Sequence, residues 1–268
     1  MSIAIVIPAR YASTRFPGKP LTLIAGQSML ARVYDLAKTA ASGMDDVSII
    51  IATEDQRIAD HAAEIGAPCM LTPADCPTGS DRALAAIQNM AQKPDFCVNL
   101  QGDAPFTPPE VVRAVIETWM RDKTLSVVTP VVRLRWDELD YLRENKKTTP
   151  FSGTTCVTDA TGKAMWFSKN IIPAIRKEDR TGDFSPVLQH IGLYGFRTDV
   201  LEQFVGLNEG HYERLEGLEQ LRLLENAIPV QTVTVDTQAG RAQAGIDSPE
   251  DVKRAEAILE QLGESSAS

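Results

Sequence analysis

Short apolar runs alternate with amphipathic stretches through the first half of the chain. This alternation restricts the fold more than any other feature of the sequence. Residues 3–8 form an apolar run that ends at Pro8. Residues 27–41 then carry Leu30, Val33, Tyr34, Ala37 and Ala41 at helical spacing. Residues 47–52 are again β-rich, residues 58–65 read as a helix ended by Gly66, and residues 69–71 are a short strand candidate. Helical periodicity returns over residues 80–91, a strand over 96–100, and a helix with prolines at its start over 108–120. Apolar strands separated by amphipathic helices predict an α/β fold with a mainly parallel sheet. Ligands of such sheets bind beyond the carboxyl ends of the strands. The polar loops after Pro8, Ala52 and Leu100 are therefore expected to lie near one another.

The organisation changes after about residue 130. Strand candidates cover residues 127–132, 154–157, 165–167, 191–196 and 230–235, with loop-rich pieces at 144–153 and 173–186. Residues 212–226 read as one strong helix, and a C-terminal helix begins at 247–251 with a cap, an early proline and first-turn acids. The expected organisation is an α/β core over 1–130, a less regular inserted lobe over 131–212, a return to the core over 213–262, and a tail over 263–268.

Composition narrows the partners. The net charge of −9 gives no general basic field for nucleic acid or anionic lipid. No apolar stretch reaches the roughly 18 residues of a membrane span. Cys69, Cys76, Cys97 and Cys156 form no C-x-x-C pair, so zinc is not expected, and Cys97 reads as a core thiol. With no charged–apolar–small leader in view, the expectation is a reduced, cytoplasmic, soluble protein.

An acidic chain that handles polyphosphate must gather its cations locally. Residues 7–21 (IPARYASTRFPGKPL) do so, placing Arg10, Arg15 and Lys19 in one loop after the first strand. Backbone N–H groups, the Ser13 hydroxyl and these cations suit phosphate oxygens. The loop is not a Walker loop, because G-x-x-x-x-G-K-[ST] is absent. By composition it is equally a solvated basic turn; its place after the strand, and Pro8, Pro17, Gly18 and Pro20 within it, favour the phosphate reading. Residues 98–105 end an apolar strand in Gln101, Gly102 and Asp103. A carboxylate at a strand end suits Mg²⁺, which takes one or two carboxylates plus phosphate oxygens and water; a plain turn Asp is the alternative. Asp247 is a second metal candidate, although a helix-capping role explains it as well. In residues 77–82 (PTGSDR), Gly79 permits close approach to a ligand, and capping and binding readings are even. His190 and Tyr194 share a strand-like run. On the 212–226 helix, Leu215, Leu218, Leu221 and Leu224 point inward. Glu216, Glu219 and Gln220, with Arg222 nearby, then face sugar hydroxyls or simply water.

Together these segments resemble the sugar-acid cytidylyltransferases, specifically the 3-deoxy-manno-octulosonate (Kdo) cytidylyltransferase, or CMP-Kdo synthetase, family. The resemblance covers nearly the whole chain and includes, in order, residues 7–21, 99–103 (NLQGD), 190–197 (HIGLYGFR), 218–222 (LEQLR) and 245–251 (GIDSPED). It implies a Rossmann-like nucleotidyltransferase core, a smaller α+β dimerisation and sugar-binding lobe, Mg²⁺, CTP and a homodimer. Carried over by position, Ala9, Arg10, Ser13, Arg15 and Lys19 are triphosphate binders. Thr78, Gly79, Ser80 and Gln101 belong to the nucleotide site, and Asp103 and Asp247 are metal ligands. Lys169, His190, Tyr194, Glu219 and Gln220 are sugar-acid contacts. The chain departs from the family pattern at Ala104, where an acid is usual. It also departs at Thr78–Arg82, where the family reads Ser-Gly-Thr-Glu-Arg, and at Lys169, where an Arg is usual. The family's Ala-Val-Lys-Val-Val strand has no clear copy.

The reaction implied is transfer of CMP from CTP to the anomeric hydroxyl of Kdo for lipopolysaccharide biosynthesis, with Arg10, Lys19 and Asp103 closest to the chemistry. Three alternatives stand beside it. The acceptor could be 8-amino-Kdo or a nonulosonic acid, the protein could bind CTP without turnover, or it could be a glycosyltransferase. The last usually shows a D-x-D motif, which Asp103-Ala-Pro lacks.

Overall fold

The computed structural model describes residues 1–12 and 16–237, together with residues 246, 251–253 and 256. It divides into two compact units. The first is Met1–Arg113 with Ala244–Ser268, and the second is Ala114–Gln243.

In the first unit, the elements are β1 (Ile3–Pro8), a 3-10 turn (Lys19–Leu21), β2 (Leu23–Ile24), β3 (Gln27–Ser28), α1 (Met29–Ala41), β4 (Val47–Thr53), α2 (Gln56–Glu64), β5 (Cys69–Leu71), α3 (Gly79–Gln88) and β6 (Phe96–Asn99). The strands β5-β4-β1-β6 pair in that order, every pair parallel. Ile5, Val6 and Ile7 of β1 are fully buried, as a central strand covered on both faces requires. Local chemistry starts each helix. Ser28 Oγ accepts from Ala31 N (3.1 Å), Asp55 Oδ1 from Arg57 N (3.0 Å), and Thr78 Oγ1 from Ser80 N (3.2 Å). The parallel α/β expectation is met here.

The chain passes between the units within α4 (Pro109–Arg121). The second unit holds β7 (Val127–Arg135), α5 (Trp136–Asn145), β8 (Thr154–Thr158), β9 (Ala164–Ser168), β10 (Phe184–His190), β11 (Tyr194–Arg197), α6 (Thr198–Val205), α7 (His211–Glu216), α8 (Leu221–Glu225) and β12 (Val230–Val235). Its sheet is mixed. β12 runs parallel along one edge of β7, while β11 and then β10 run antiparallel along the other. β8 and β9 continue antiparallel from β10. Pro130, which has no N–H to give, sits where β7 changes partner from β11 to β10. Its carbonyl accepts from Ile191 N at 3.1 Å.

Several expectations change in this unit. The strand read at 191–196 is interrupted over residues 191–193, because the partner β7 carries Pro130 at that level. The single helix read at 212–226 is two short helices, α7 and α8, parted at Gly217 with φ 62°. Leu215, read as inward, is 68% exposed, whereas Leu218 and Leu221 are buried. α5 and α6 were not anticipated. The division between the units falls at 113 and 243. α7 and α8 pack on each other, and α8 packs on β9 of the second unit.

Candidate functional site

At the carboxyl ends of β1 and β6 the first unit opens a cavity of about 380 Å³. Pro8, Ala9, Arg10 and Ala12 line it from one loop, Gln101, Gly102 and Asp103 from the other, and Gly79 from the start of α3. The two loops touch at Gly102. A Cβ built there stands 2.6 Å from Pro8 O, closer than side chains tolerate. Glycine at 102 is therefore a condition of the cavity's shape.

Charge is concentrated at the same place. Lys19 Nζ lies 2.9 Å from Asp103 Oδ2; the lysine side chain is 11% exposed and the carboxylate 48%. Arg10 Nη1 donates to Pro77 O at 3.3 Å. Arg82, 1% exposed, also lines the cavity. Its Nη1 donates to Thr72 Oγ1 (2.6 Å) and stands 2.8 Å from Glu54 Oε2. Its buried Nη2 finds no hydrogen-bond partner among the described residues. Arg82 closes the 77–82 motif, and the sequence alone assigns it no role. The signal available was a cation on the otherwise apolar face of α3.

The cationic loop is braced from outside. Gly18 N donates to Tyr11 O at 3.0 Å, closing the loop just before Lys19. The Arg57 guanidinium lies 3.3 Å from the centroid of the Tyr11 ring. Asp55 holds Arg57 in a fork, Nε to Oδ1 at 2.9 Å and Nη2 to Oδ2 at 2.6 Å. That fork keeps the Asp55 carboxyl below its ordinary pKa.

Other predicted residues fall differently. Thr78 and Asp81 form a capping box, with Asp81 Oδ2 accepting from Thr78 N (3.1 Å) and Thr78 Oγ1 (2.6 Å). Ser80 is buried, and its Oγ accepts from Asn99 Nδ2 at 3.3 Å. Of the three turn residues, Gly79 lines the cavity. Ser13, Arg15 and Asp247 lie outside the described residues. Ile246, which precedes Asp247 in sequence, donates its N–H to Asp103 O at 3.3 Å.

A second cluster occupies the second unit. His190 Nε2 stands 2.8 Å from Thr129 Oγ1, and Thr129 Oγ1 donates to Leu193 O at 2.7 Å. The single Thr129 proton is committed to Leu193, so His190 must donate from Nε2 and its Nδ1 is an acceptor. Burial, reinforced by the nearby Lys169 charge, pulls His190 down to about 3. Burial pushes Tyr194 well above its ordinary pKa, with Glu219 and Cys156 adding to the rise. The His190 ring contacts Phe167 and Tyr194, with centroids at 5.0 and 5.3 Å. Lys169 is half-buried, and desolvation lowers its pKa while Glu216 raises it. The structure thus brings Lys169, His190, Tyr194 and Glu219 together, with buried Gln220 at the start of α8. Arg222 is committed elsewhere, forking onto Glu213 at 2.8 and 2.5 Å. All four cysteines have pKa values raised by burial, Cys97 and Cys156 to about 12, which disfavours thiolate chemistry.

Known proteins resemble this chain over nearly its whole length. The family model described as cytidylyltransferase matches residues 4–233. A 3-deoxy-manno-octulosonate cytidylyltransferase of Maricaulis maris is 46% identical, covering 98% of this chain and 99% of its own. One from Syntrophotalea carbinolica is 40% identical over 98% of this chain and 100% of its own. Among solved structures, CMP:2-keto-3-deoxy-manno-octonic acid synthetase complexed with CTP superposes with a TM-score of 0.82 at 29% identity, covering 98% of this chain and 100% of that one.

Proposed function

This chain belongs to the cytidylyltransferase family, and from that premise we propose that it transfers CMP from CTP to the anomeric hydroxyl of 3-deoxy-D-manno-octulosonate. The oxygen of that hydroxyl bonds to the α-phosphorus of CTP, and the bond from that phosphorus to the bridging oxygen breaks in line. Pyrophosphate leaves, the hydroxyl proton passes to solvent, and CMP-Kdo is the product, for use in lipopolysaccharide biosynthesis. The observation that carries this reading is the Lys19–Asp103 pair at the mouth of the strand-end cavity.

Arg10 and Lys19, with Ser13 and Arg15 of the same loop, hold the triphosphate and steady charge on the departing pyrophosphate. Ala9 and Gln101, with the Thr78–Gly79–Ser80 turn, complete the nucleotide side. The donor set fits Mg²⁺: Asp103 offers a half-exposed carboxylate, a hard oxygen donor, beside the proposed phosphate site. Asp103 and Asp247 would hold the ion, which when bound neutralises phosphate charge and lowers the pKa of the attacking hydroxyl. No covalent nucleophile is needed. Lys169, His190, Tyr194, Glu219 and Gln220 bind the acceptor. His190, neutral, suits a sugar hydroxyl; Lys169 suits the carboxylate. Tyr141, Phe151, Met165 and Leu215 are exposed apolar side chains of the second unit and support a homodimer. No helix among the described residues is long and apolar enough to cross a membrane.

Pyrophosphate release from CTP with Kdo and Mg²⁺ tests the proposal. Wild type is expected to turn over, and Asp103→Asn to lose at least a hundredfold, on the order of the 3 kcal/mol that one electrostatic contact supplies in a transition state. Full activity of Asp103→Asn would refute the metal assignment. CTP binding without product from Kdo, amino-Kdo or a nonulosonic acid would refute the transferase reading.

A further inference from the structure

Lys146, the residue after α5, donates to four carbonyls: those of Pro150 (3.2 Å), Ser152, Gly153 (3.2 Å) and Lys169 (2.6 Å). An ammonium has three protons, so four carbonyls more than occupy it. Lys146 is therefore a tie between main-chain segments and not a cation held ready for a ligand. Three of its acceptors belong to the turn that follows it; the fourth is the carbonyl of Lys169.

The other side of Lys169 is also held. Its N–H donates to Glu216 Oε2 at 2.7 Å, and Glu216 Oε1 accepts from Ser168 Oγ at 2.9 Å. Ser168 Oγ in turn accepts from Asn170 N at 3.0 Å. Both peptide groups of residue 169 are thus fixed, one by the end of α5 and one by the end of α7. The Lys169 ammonium itself makes no hydrogen bond or ion pair among the described residues. The structure ties the main chain of a half-buried cation whose charged end has no partner among the described residues.

We infer that Lys146 and Glu216 are positioning residues that hold the main chain of Lys169 so that its ammonium meets the carboxylate of the acceptor. This rests on the reading above that Lys169 binds the acceptor. Glu216 has a second effect. The charges that face Lys169 are the Glu216 carboxylate and the Lys146 ammonium, and His190 beside it stays neutral. Glu216 opposes the desolvation of Lys169 and so keeps it protonated to higher pH.

The test compares wild type, Lys169→Met, Lys146→Met and Glu216→Gln, with Kdo and CTP varied separately. Lys169→Met reports on the underlying reading and is expected to raise KM for Kdo about tenfold or more, the loss of a charged hydrogen bond. Lys146→Met is expected to raise KM for Kdo while KM for CTP holds. Glu216→Gln keeps an acceptor for Lys169 N–H and removes the charge. Its alkaline limb of kcat/KM for Kdo is expected to move to lower pH, with the CTP profile unmoved. If Lys169→Met is impaired while the other two variants keep wild-type KM and pH limb, the positioning role is overturned and the binding reading stands. If Lys169→Met binds Kdo normally, both fall. Equal losses toward CTP and Kdo in Lys146→Met, with a lowered Tm and an unmoved limb in Glu216→Gln, would show a merely structural tie.

Discussion

In the first unit Lys19 meets the Asp103 carboxylate at 2.9 Å beside an open cavity. In the second, Lys169 keeps its ammonium unpaired among the described residues, while Lys146 is enclosed by main-chain carbonyls. The first arrangement sits on loops beyond parallel strands, where main-chain groups from several elements converge. The second sits among buried side chains of a mixed sheet, where His190 is held neutral and Tyr194 protonated. The difference follows the ligands each is proposed to take. A triphosphate carries several charges and needs many weakly directional donors. A sugar acid carries one charge and several hydroxyls, and needs few groups in fixed protonation states.

If the units divide the labour in this way, a change in one moves the kinetics of one substrate. The largest effect is expected from Gly102→Ala. Its Cβ must push Pro8 O away from 2.6 Å, parting the two loops. A displacement approaching an ångström costs about a hundredfold in turnover, here read as kcat/KM for CTP. An unchanged value would show that the loops can separate freely. Next comes Thr129→Val, which leaves buried His190 Nε2–H and Leu193 O unsatisfied at about 1–3 kcal/mol each. Its KM for Kdo is expected to rise while that for CTP does not; equal change in both would break the division. Loss of the relay is also expected to alter the ring-nitrogen NMR signals of His190, one of only three histidines. His190 adds a pH effect whose sign follows from its burial. Its folded pKa, about 3, lies below the unfolded value, so the unfolded chain binds the extra proton between them. The contribution to stability is complete above about pH 6.5 and is lost as pH falls toward 3. Urea unfolding of wild type and His190→Gln across that range checks it, and parallel curves would contradict it. The smallest effect is expected from Tyr11→Leu. Losing a stacked cation at an exposed edge is worth roughly 0.5–1 kcal/mol, a few-fold in KM for CTP, and Tyr11→Phe should restore it.

The same contrast governs what could be read from the sequence. In the first unit the signals are local. Short apolar runs mark β1, β4 and β6, and Ser28, Asp55 and Thr78 open their helices with partners two or three residues away. The cations of residues 7–21 stand in one loop, so Arg10 and Lys19 could be found together. In the second unit the deciding partners are remote. Lys146 reaches Lys169, Ser168 reaches Glu216 and Thr129 reaches His190, at separations of 23, 48 and 61 residues. No periodicity encodes such pairs. The interruption between β10 and β11 also depends on Pro130 in a different strand, and the division of the 212–226 helix rests on Gly217. Arg57 and Arg82 were missed for a related reason, because each acts through a ring or a cavity wall that only the folded chain supplies.

The Lys19–Asp103 contact has a consequence for the order of events at the cavity. A phosphate oxygen approaching Lys19 competes with Asp103 for its charge, and a divalent cation approaching Asp103, as proposed, competes with Lys19. The pair acts as a competitor built into the chain, and either ligand on arrival releases the group that the other requires. Nucleotide and cation should therefore bind with positive cooperativity, each tightening the other by the same factor. The protein would then select the charge-balanced metal–nucleotide complex over either component alone.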